Sequence, residues 1–409
     1  MLKLINGGVV APLGFKAWGL HAGIKPGTPD DRMDLGMLVS EQPCTAAGMF
    51  TTNVVKAEPV LLDMEVLKNG RAQAVIGNCF IANACAPDGM ETAQKTQALA
   101  AAALGLEPSD VLVSSTGVIG VRQNVEAIEA AIPALTAGLT DDPSGSDRMA
   151  HAIMTTDTVK KEFACEVELG GKPVRIGGIS KGSGMIHPKM GTMLCFLTTD
   201  AAISADLLNN ALHAAVGASF NRISVDGDMS TNDTCVVLAN GLAGNPVITE
   251  EGSDYEDFSA ALKEICIALA RLMAKDGEGA THLLTCTVSG CESEEKAEAL
   301  AKSVINSSLT KAAIFGADAN WGRVLAALGY AGVPFDPKAV DVSFASAKGE
   351  LPVCQNGMGV PFDEDKAKDI LLEEEVIIHC NMNEGTASVT CWGCDLTYEY
   401  VKINGDYRT

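Results

Sequence analysis

The sequence predicts an α/β protein. Short apolar, β-branched runs alternate with segments of helical periodicity along most of the chain. Hydrophobic residues make up 47% and charged residues 20%, the balance of a globular protein that buries a large core. No internal repeat or low-complexity tract interrupts the alternation. With 409 residues there is room for two or three domains.

Taken in order, Ala72–Ile76 reads as a strand and Asp88–Gly105 as a helix, followed by strand Val111–Ser115 and helix Val125–Gly138. The polar, turn-rich segment Thr140–Arg148 reads as a loop or flexible connection. Val174–Ile179 and Met193–Leu197 are strand-like, Ala205–Val216 is helical, and Cys235–Leu238 is again a strand. A long helix is expected from Tyr255 to Lys275, with Ser253 or Asp254 as its cap. Strand Leu283–Val288, helices Ser293–Ile305 and Val324–Tyr330, turn signals at Ala331–Pro337 and strand Val376–His379 complete the pattern. A structural core to about residue 291 and a smaller α/β unit over 292–409 follow from this reading.

Composition excludes several function classes. The formal net charge of −22 repels nucleic acid. No run approaches 18 apolar residues without charges, so no membrane span is expected. The first fifteen residues lack the apolar core and cleavage pattern of a signal peptide, so the cytoplasm is the expected compartment. Thirteen cysteines, an odd number scattered among apolar neighbours, fit buried free thiols better than a disulfide framework. The pair Cys391 and Cys394 forms a CxxC, but its flanks, TASVT and DLTYEYVKI, alternate like strands, which favours incidental thiols over a redox or zinc site.

Two strings imitate ligand loops and fail on inspection. Gly177–Gly184 lacks the lysine-then-Ser/Thr ending and glycine spacing of a phosphate loop. The string from Asp226 has Thr231 where a calcium loop needs its turn glycine and Val237 where it needs its closing glutamate. The six histidines have no zinc spacing, and no metal is expected.

The stretch from Lys181 to Asp200, KGSGMIHPKMGTMLCFLTTD, is different. It places Thr192 behind Gly191, after a glycine-rich approach and just ahead of an apolar run. A cut between Gly191 and Thr192 gives Thr192 a free α-amine beside its hydroxyl, a nucleophile carrying its own base. The bland reading is a threonine that starts a strand. Three more strings bear on the choice. Ser114–Gly120 follows a strand and offers a glycine N–H beside hydroxyls, as an oxyanion site requires, or an ordinary turn. Met154–Thr158 surrounds one carboxylate with hydroxyls, or caps a helix end. Lys275–Thr281 sets Glu278 between two glycines at the mouth of a strand, as a close backbone approach or a solvent turn would.

Together these strings resemble the glutamate N-acetyltransferase (ornithine acetyltransferase) family of arginine biosynthesis, over nearly the whole chain. TAAGMFTTN from Thr45, the KGSGMIHPKMGT string, SFNRISVDGDMSTNDT, GADANWGRVLAALGYAG and the final YVKINGDYRT occur in family order. The resemblance implies an αββα sandwich similar to N-terminal-nucleophile hydrolases, with its own connectivity. It implies self-cleavage before Thr192 into chains of residues 1–191 and 192–409, paired again as α₂β₂. It places Thr192 as nucleophile, Thr116 and Gly117 as the oxyanion hole, and Lys181, Glu278, Asn404 and Thr409 as substrate-binding residues. Thr155 or Thr156 joins them, with Thr155 favoured.

The implied reaction is ping-pong transfer of acetyl from N²-acetylornithine to glutamate through an acetyl-Thr192 ester, with no cofactor and with acetyl-CoA as an alternative acetyl donor in some members. The nearest alternatives are an aminopeptidase or amidase of the related self-cleaving fold, and a non-enzymatic thiol or metal-binding protein built on the cysteines. The chain departs from the family at Gly191, where many members have alanine, and over Ile76–Cys85, where the usual asparagine- and glycine-rich string is altered.

Overall fold

The computed structural model describes residues 2–187 and 193–406. It divides the chain into two compact units: the chain up to Asn221 with Asp228–Ala270, and Arg222–Gly227 with the chain from Arg271.

In the first unit, nine strands form one sheet among the described residues: β1 (Lys3–Ile5), β2 (Phe15–Leu20), β3 (Leu35–Phe50), β4 (Arg71–Asn78), β5 (Val111–Ser115), β6 (Lys161–Leu169), β7 (Lys172–Lys181), β8 (Leu194–Thr199) and β9 (Thr234–Ala239). The order is β1-β6-β7-β8-β9-β3-β4-β5, with β2 also on β3. β3 joins two arms of the sheet. Its first part pairs with β2 and β4, its last part with β9, and a register shift between Val39 and Cys44 lies where the partners change.

The two arms face each other. Leu38, Val75 and Leu112 of one arm share a dry core with Ile179, Leu194, Phe196, Val236 and Leu238 of the other. Burying a side chain the size of Phe196 contributes about 2–3 kcal/mol. Among the described residues, the helices α1 (Glu58–Val66), α2 (Gly89–Leu104), α3 (Val125–Gly138), α4 (Pro143–Ala152), α5 (Ala205–Ala218) and α6 (Ser253–Lys275) accompany the sheet. Ala100, Ala101, Ile128, Ile132 and Leu135 of α2 and α3 cover the outer face of the β4–β5 arm. On the other arm, Leu269 and Ile265 of α6 pack over Gly178 of β7, where a Cβ would lie 3.1 and 3.4 Å from their side chains. The layers are therefore α, β, β, α, as the resemblance implied.

The second unit holds β10 (Leu283–Cys291), β11 (Asp341–Ser346), β12 (Gly349–Gln355), β13 (Met358–Gly359), β14 (Glu375–Asn381) and β15 (Ala387–Cys394), in the order β13-β12-β11-β14-β10-β15. Its helices are α7 (Glu294–Asn306), α8 (Ser308–Phe315), α9 (Trp321–Gly329), α10 (Glu364–Leu371) and α11 (Tyr398–Asp406). β10 is flanked by β14 and β15, so the unit cannot begin near Glu292 as the sequence suggested; it starts again at Arg271.

Three local expectations change. Thr140–Arg148 is largely helix α4, not loop: the Asp142 side chain accepts from the Ser144 N–H, and Pro143 occupies the first helical turn. α6 starts at Ser253, so Asp254 lies in its first turn, where its carboxylate instead accepts from the Gly170 N–H. The segment after Cys394 is α11, a helix with no buried residue, although its alternation reads as a strand. All thirteen cysteines are free, twelve of them buried, and burial pushes the Cys391 thiol up to about 12. Such thiols are poor nucleophiles. No helix among the described residues is long and apolar enough to cross a membrane.

Candidate active site

The end of β5 delivers Thr116 and Gly117. Ser115 donates through its hydroxyl to the Asn78 side chain at 2.7 Å, and the Thr116 N–H donates to the Asn78 carbonyl at 3.1 Å. The Thr116 amide is thus spent, and what it offers is its hydroxyl. Gly117 sits at φ +128°, and a Cβ there would lie 2.2 Å from the Phe80 carbonyl carbon. Only glycine can hold this turn. Among the described residues the Gly117 N–H has no hydrogen-bond partner. A hydroxyl and a spare amide on consecutive residues are the donor pair an oxyanion needs. The altered Ile76–Cys85 segment lies against this turn: Val118 donates to Phe80 at 3.0 Å, and Phe80, Asn83 and Cys85 all have positive φ.

β7 delivers Lys181 at its last position, opposite Leu194 at the head of β8. Its ammonium, 3% exposed as a residue, reaches the Thr116 hydroxyl at 3.4 Å. Burial pushes its pKa below the ordinary lysine value, and Asp157 is the strongest opposing influence. Asp157 ties the site together. One carboxylate oxygen accepts from Lys161 Nζ at 2.6 Å and from the Gly182 N–H at 2.7 Å; the other accepts from the Thr155 N–H at 3.1 Å. Burial pushes this carboxyl up, but Lys161, Lys181 and the hydrogen bonds outweigh it and hold it at about 2. The Thr155–Thr156 loop is thereby fastened beside Lys181. Thr155 is the better anchored of the two, since its carbonyl also accepts from Arg32 at 2.7 Å.

The head of β8 is set by Asp233, a residue to which the sequence reading gave no role. Its carboxylate accepts from the Met193 N–H at 2.6 Å, while the Thr234 N–H donates to the Met193 carbonyl at 2.9 Å. Asn232, beside it, donates to the carbonyls of Ala82 and Ser115 at 2.6 and 2.8 Å and so braces the approach to Thr116. Its position in the DGDMSTNDT string was the available signal. Gly191 and Thr192 lie outside the described residues, as does Thr409.

In the second unit, Glu278 and Asn404 come together. Asn404 Nδ2 donates to the Glu278 carboxylate at 2.6 Å and to the Tyr400 carbonyl at 3.1 Å. The glycines flanking Glu278 mark close packing rather than a solvent turn. A Cβ on Gly279 would lie 2.7 Å from the Glu399 Cβ, and one on Gly277 2.7 Å from the Cys394 sulfur.

Comparison with known proteins follows the same lines. The sequence profile of the ArgJ family matches residues 16–409. The arginine biosynthesis bifunctional protein ArgJ of Symbiobacterium thermophilum is 49% identical over 409 residues, covering 100% of both chains. The glutamate N-acetyltransferase of Methanocaldococcus jannaschii is 43% identical over 417 aligned positions, again covering 100% of both. A crystal structure of the arginine biosynthesis bifunctional protein ArgJ of Bacillus halodurans is 42% identical, with a TM-score of 0.49 over 51% of this chain and 97% of that one. The profile match and the full-length identities together establish that this chain belongs to the ArgJ family and is an acyltransferase.

Proposed function

We propose that the chain cleaves itself before Thr192 and then transfers an acetyl group from N²-acetylornithine to glutamate. The observation that carries this reading is the convergence of the Thr116 hydroxyl, the free Gly117 amide and the Lys181 ammonium near the head of β8, which follows Thr192 by two residues in sequence. In the first phase the Thr192 hydroxyl attacks the Gly191 carbonyl, the peptide nitrogen leaves as an amine, and water opens the resulting ester. In the second phase that amine, with an ordinary pKa of about 7.7–8.0, takes the hydroxyl proton as Thr192 attacks the acetyl carbonyl. Thr116 and Gly117 hold the oxyanion; one such donor is worth about 10²–10³ in kcat. Ornithine leaves with the proton, and glutamate attacks the acetyl-threonine ester to give N-acetylglutamate.

Lys181 is suited to a substrate carboxylate, and Glu278, with Asn404 beside it, to a substrate ammonium. Thr155 and Thr409 complete the proposed contacts. The scheme calls for no cofactor. The same acyl-threonine is reachable from acetyl-CoA, and formation of N-acetylglutamate from acetyl-CoA and glutamate alone tests that second donor. The names of the two relatives, a bifunctional arginine-biosynthesis protein and a glutamate N-acetyltransferase, support the substrate assignment. A reducing cytoplasm suits thirteen free cysteines, and an α₂β₂ assembly is the expected product of cleavage and pairing.

Intact mass under denaturing conditions tests the first phase. The wild type is expected as two chains cut between Gly191 and Thr192, and Thr192→Ala as one uncut, inactive chain. An intact and fully active wild-type chain would falsify the scheme. Acetyl transfer to glutamate supports the second phase; release of acetate without N-acetylglutamate would assign the protein to the hydrolases instead.

A further inference from the structure

Arg32 stands beside the Thr155 loop with an unbalanced charge. One of its terminal nitrogens donates to the Thr155 carbonyl at 2.7 Å, and its guanidinium carbon lies 5.8 Å from the centre of the Phe80 ring. Phe80 is the residue packed against Gly117, and its carbonyl accepts from the Val118 N–H. Arg32 therefore touches both the Thr155 loop and the segment that shapes the Gly117 turn. It also acts where Lys181 acts: burial, with Asp34, pushes the Cys79 thiol up, and Arg32 and Lys181 both oppose that rise.

No carboxylate balances this cation. Arg32 is partly buried, and among the described residues it makes no ion pair, although Asp30, Asp31 and Asp34 are its neighbours in sequence. The Asp34 carboxylate is spent on the Ala22 and Ile24 amides at 2.5 and 2.8 Å, Asp30 faces His21 at 3.8 Å, and Asp31 is exposed. Across the Thr155 loop, Asp157 is taken by Lys161. A guanidinium held by one nitrogen still offers a planar edge of N–H donors, and such an edge matches a carboxylate.

The reaction proposed above passes two amino acids through one acyl-enzyme. Both carry an α-carboxylate, for which Lys181 suffices. They differ at the far end, where ornithine has an ammonium and glutamate a second carboxylate. Glu278 suits the first and repels the second, so the acceptor needs another cation. We propose that Arg32 is a specificity-determining residue for the acceptor: its free N–H edge takes the side-chain carboxylate of glutamate. The inference rests on the acetyl-transfer reading.

Arg32→Met keeps most of the side chain and removes the charge. In this variant the ratio of kcat/KM for glutamate to kcat/KM for glutamine, its uncharged isostere, is expected to fall roughly 10- to 100-fold. Release of ornithine from N²-acetylornithine before any acceptor is added should fall far less, by what the lost bond to the Thr155 carbonyl costs. Equal losses in the two half-reactions would mean that Arg32 only steadies the Thr155 loop, and an unchanged preference for glutamate over glutamine would remove it from the acceptor site. Either result overturns the proposal. Should Arg32→Met fail to fold, the wild type still decides. Phenylglyoxal labelling of Arg32, read by peptide mass, is expected to be blocked by glutamate and not by ornithine. Labelling that both block alike, or that neither blocks, overturns the proposal. If the wild type transfers no acetyl group to glutamate at all, the underlying reading fails, and that result is distinct from the others.

Discussion

Asp157 shows most clearly how one side chain can organise several parts of a site. It is buried, yet it is held ionised by Lys161, Lys181 and two backbone amides from separate segments. Its folded pKa of about 2 lies below the ordinary 3.8, so its stabilising contribution is fully present above about pH 4 and is lost as the pH falls toward 2. Asp157→Asn removes the carboxylate facing two buried ammonium groups and is expected to cost about 3–5 kcal/mol at pH 7. Urea midpoints measured from pH 7 downward should converge between wild type and variant as the pH drops below about 4; a constant gap would mean that the charge is not what matters. The sequence shows this kind of residue only in part. Gly117 was legible as a turn glycine after an apolar strand, and its oxyanion role only as what the family resemblance implied. Thr116 was legible beside it, but not that its amide is spent on Asn78, which depends on a strand remote in sequence. Asp157 looked like a helix cap and Asp233 had no role beyond a string that fails as a calcium loop, because burial, which gives both their character, comes from strands remote in sequence.

At the scale of elements, local signals succeeded where propensity and period agreed, and failed where tertiary partners decide. α3 was expected over Val125–Gly138 and is found there, with Asn124 capping it. β3 was missed, because a strand that changes partners halfway has no single face and no clean alternation. α11 was misread because Leu396, Tyr398 and Tyr400 alternate with the polar Thr397 and Glu399; nothing in that spacing shows that no sheet edge receives them. The GADANWGRV string has a structural meaning as well as a family one. The Asn320 side chain accepts from the Arg323 N–H at 3.2 Å and so caps α9, placing Val324, Ala327 and Leu328 in the core of the second unit. Asn320→Ala is expected to lower stability by about 1 kcal/mol with acetyl transfer per folded molecule unchanged. A loss of turnover without a loss of stability in denaturant titration would move Asn320 from the scaffold to the site.

At the scale of the whole molecule, the sheet order decides what a cut before Thr192 can and cannot do. The fragment starting at Thr192 would own β8 and β9, and the other fragment β1 to β7. In the order β1-β6-β7-β8-β9-β3-β4-β5, the two strands of the later fragment lie between β7 and β3 of the earlier one. β8 is paired along its full length with β7, antiparallel, and β9 with β3 over Thr45–Phe50. Phe196, Val236 and Leu238 of one fragment share their core with Leu38, Val75 and Leu112 of the other. The fragments therefore cannot separate without dismantling the central sheet, and cleavage converts a unimolecular fold into a bimolecular one without loosening it. The cut protein should run as one species in native size exclusion and as two only in denaturant. Its unfolding midpoint should fall on dilution, by about 1.4 kcal/mol of apparent stability for each tenfold step. Uncut Thr192→Ala keeps both fragments covalently joined, so any dilution effect it retains belongs to higher assembly, and the difference between the two proteins isolates the cut. Equal dilution dependence in the two would show that the wild-type chain unfolds as a single covalent unit, and that the strands on either side of Thr192 are still joined.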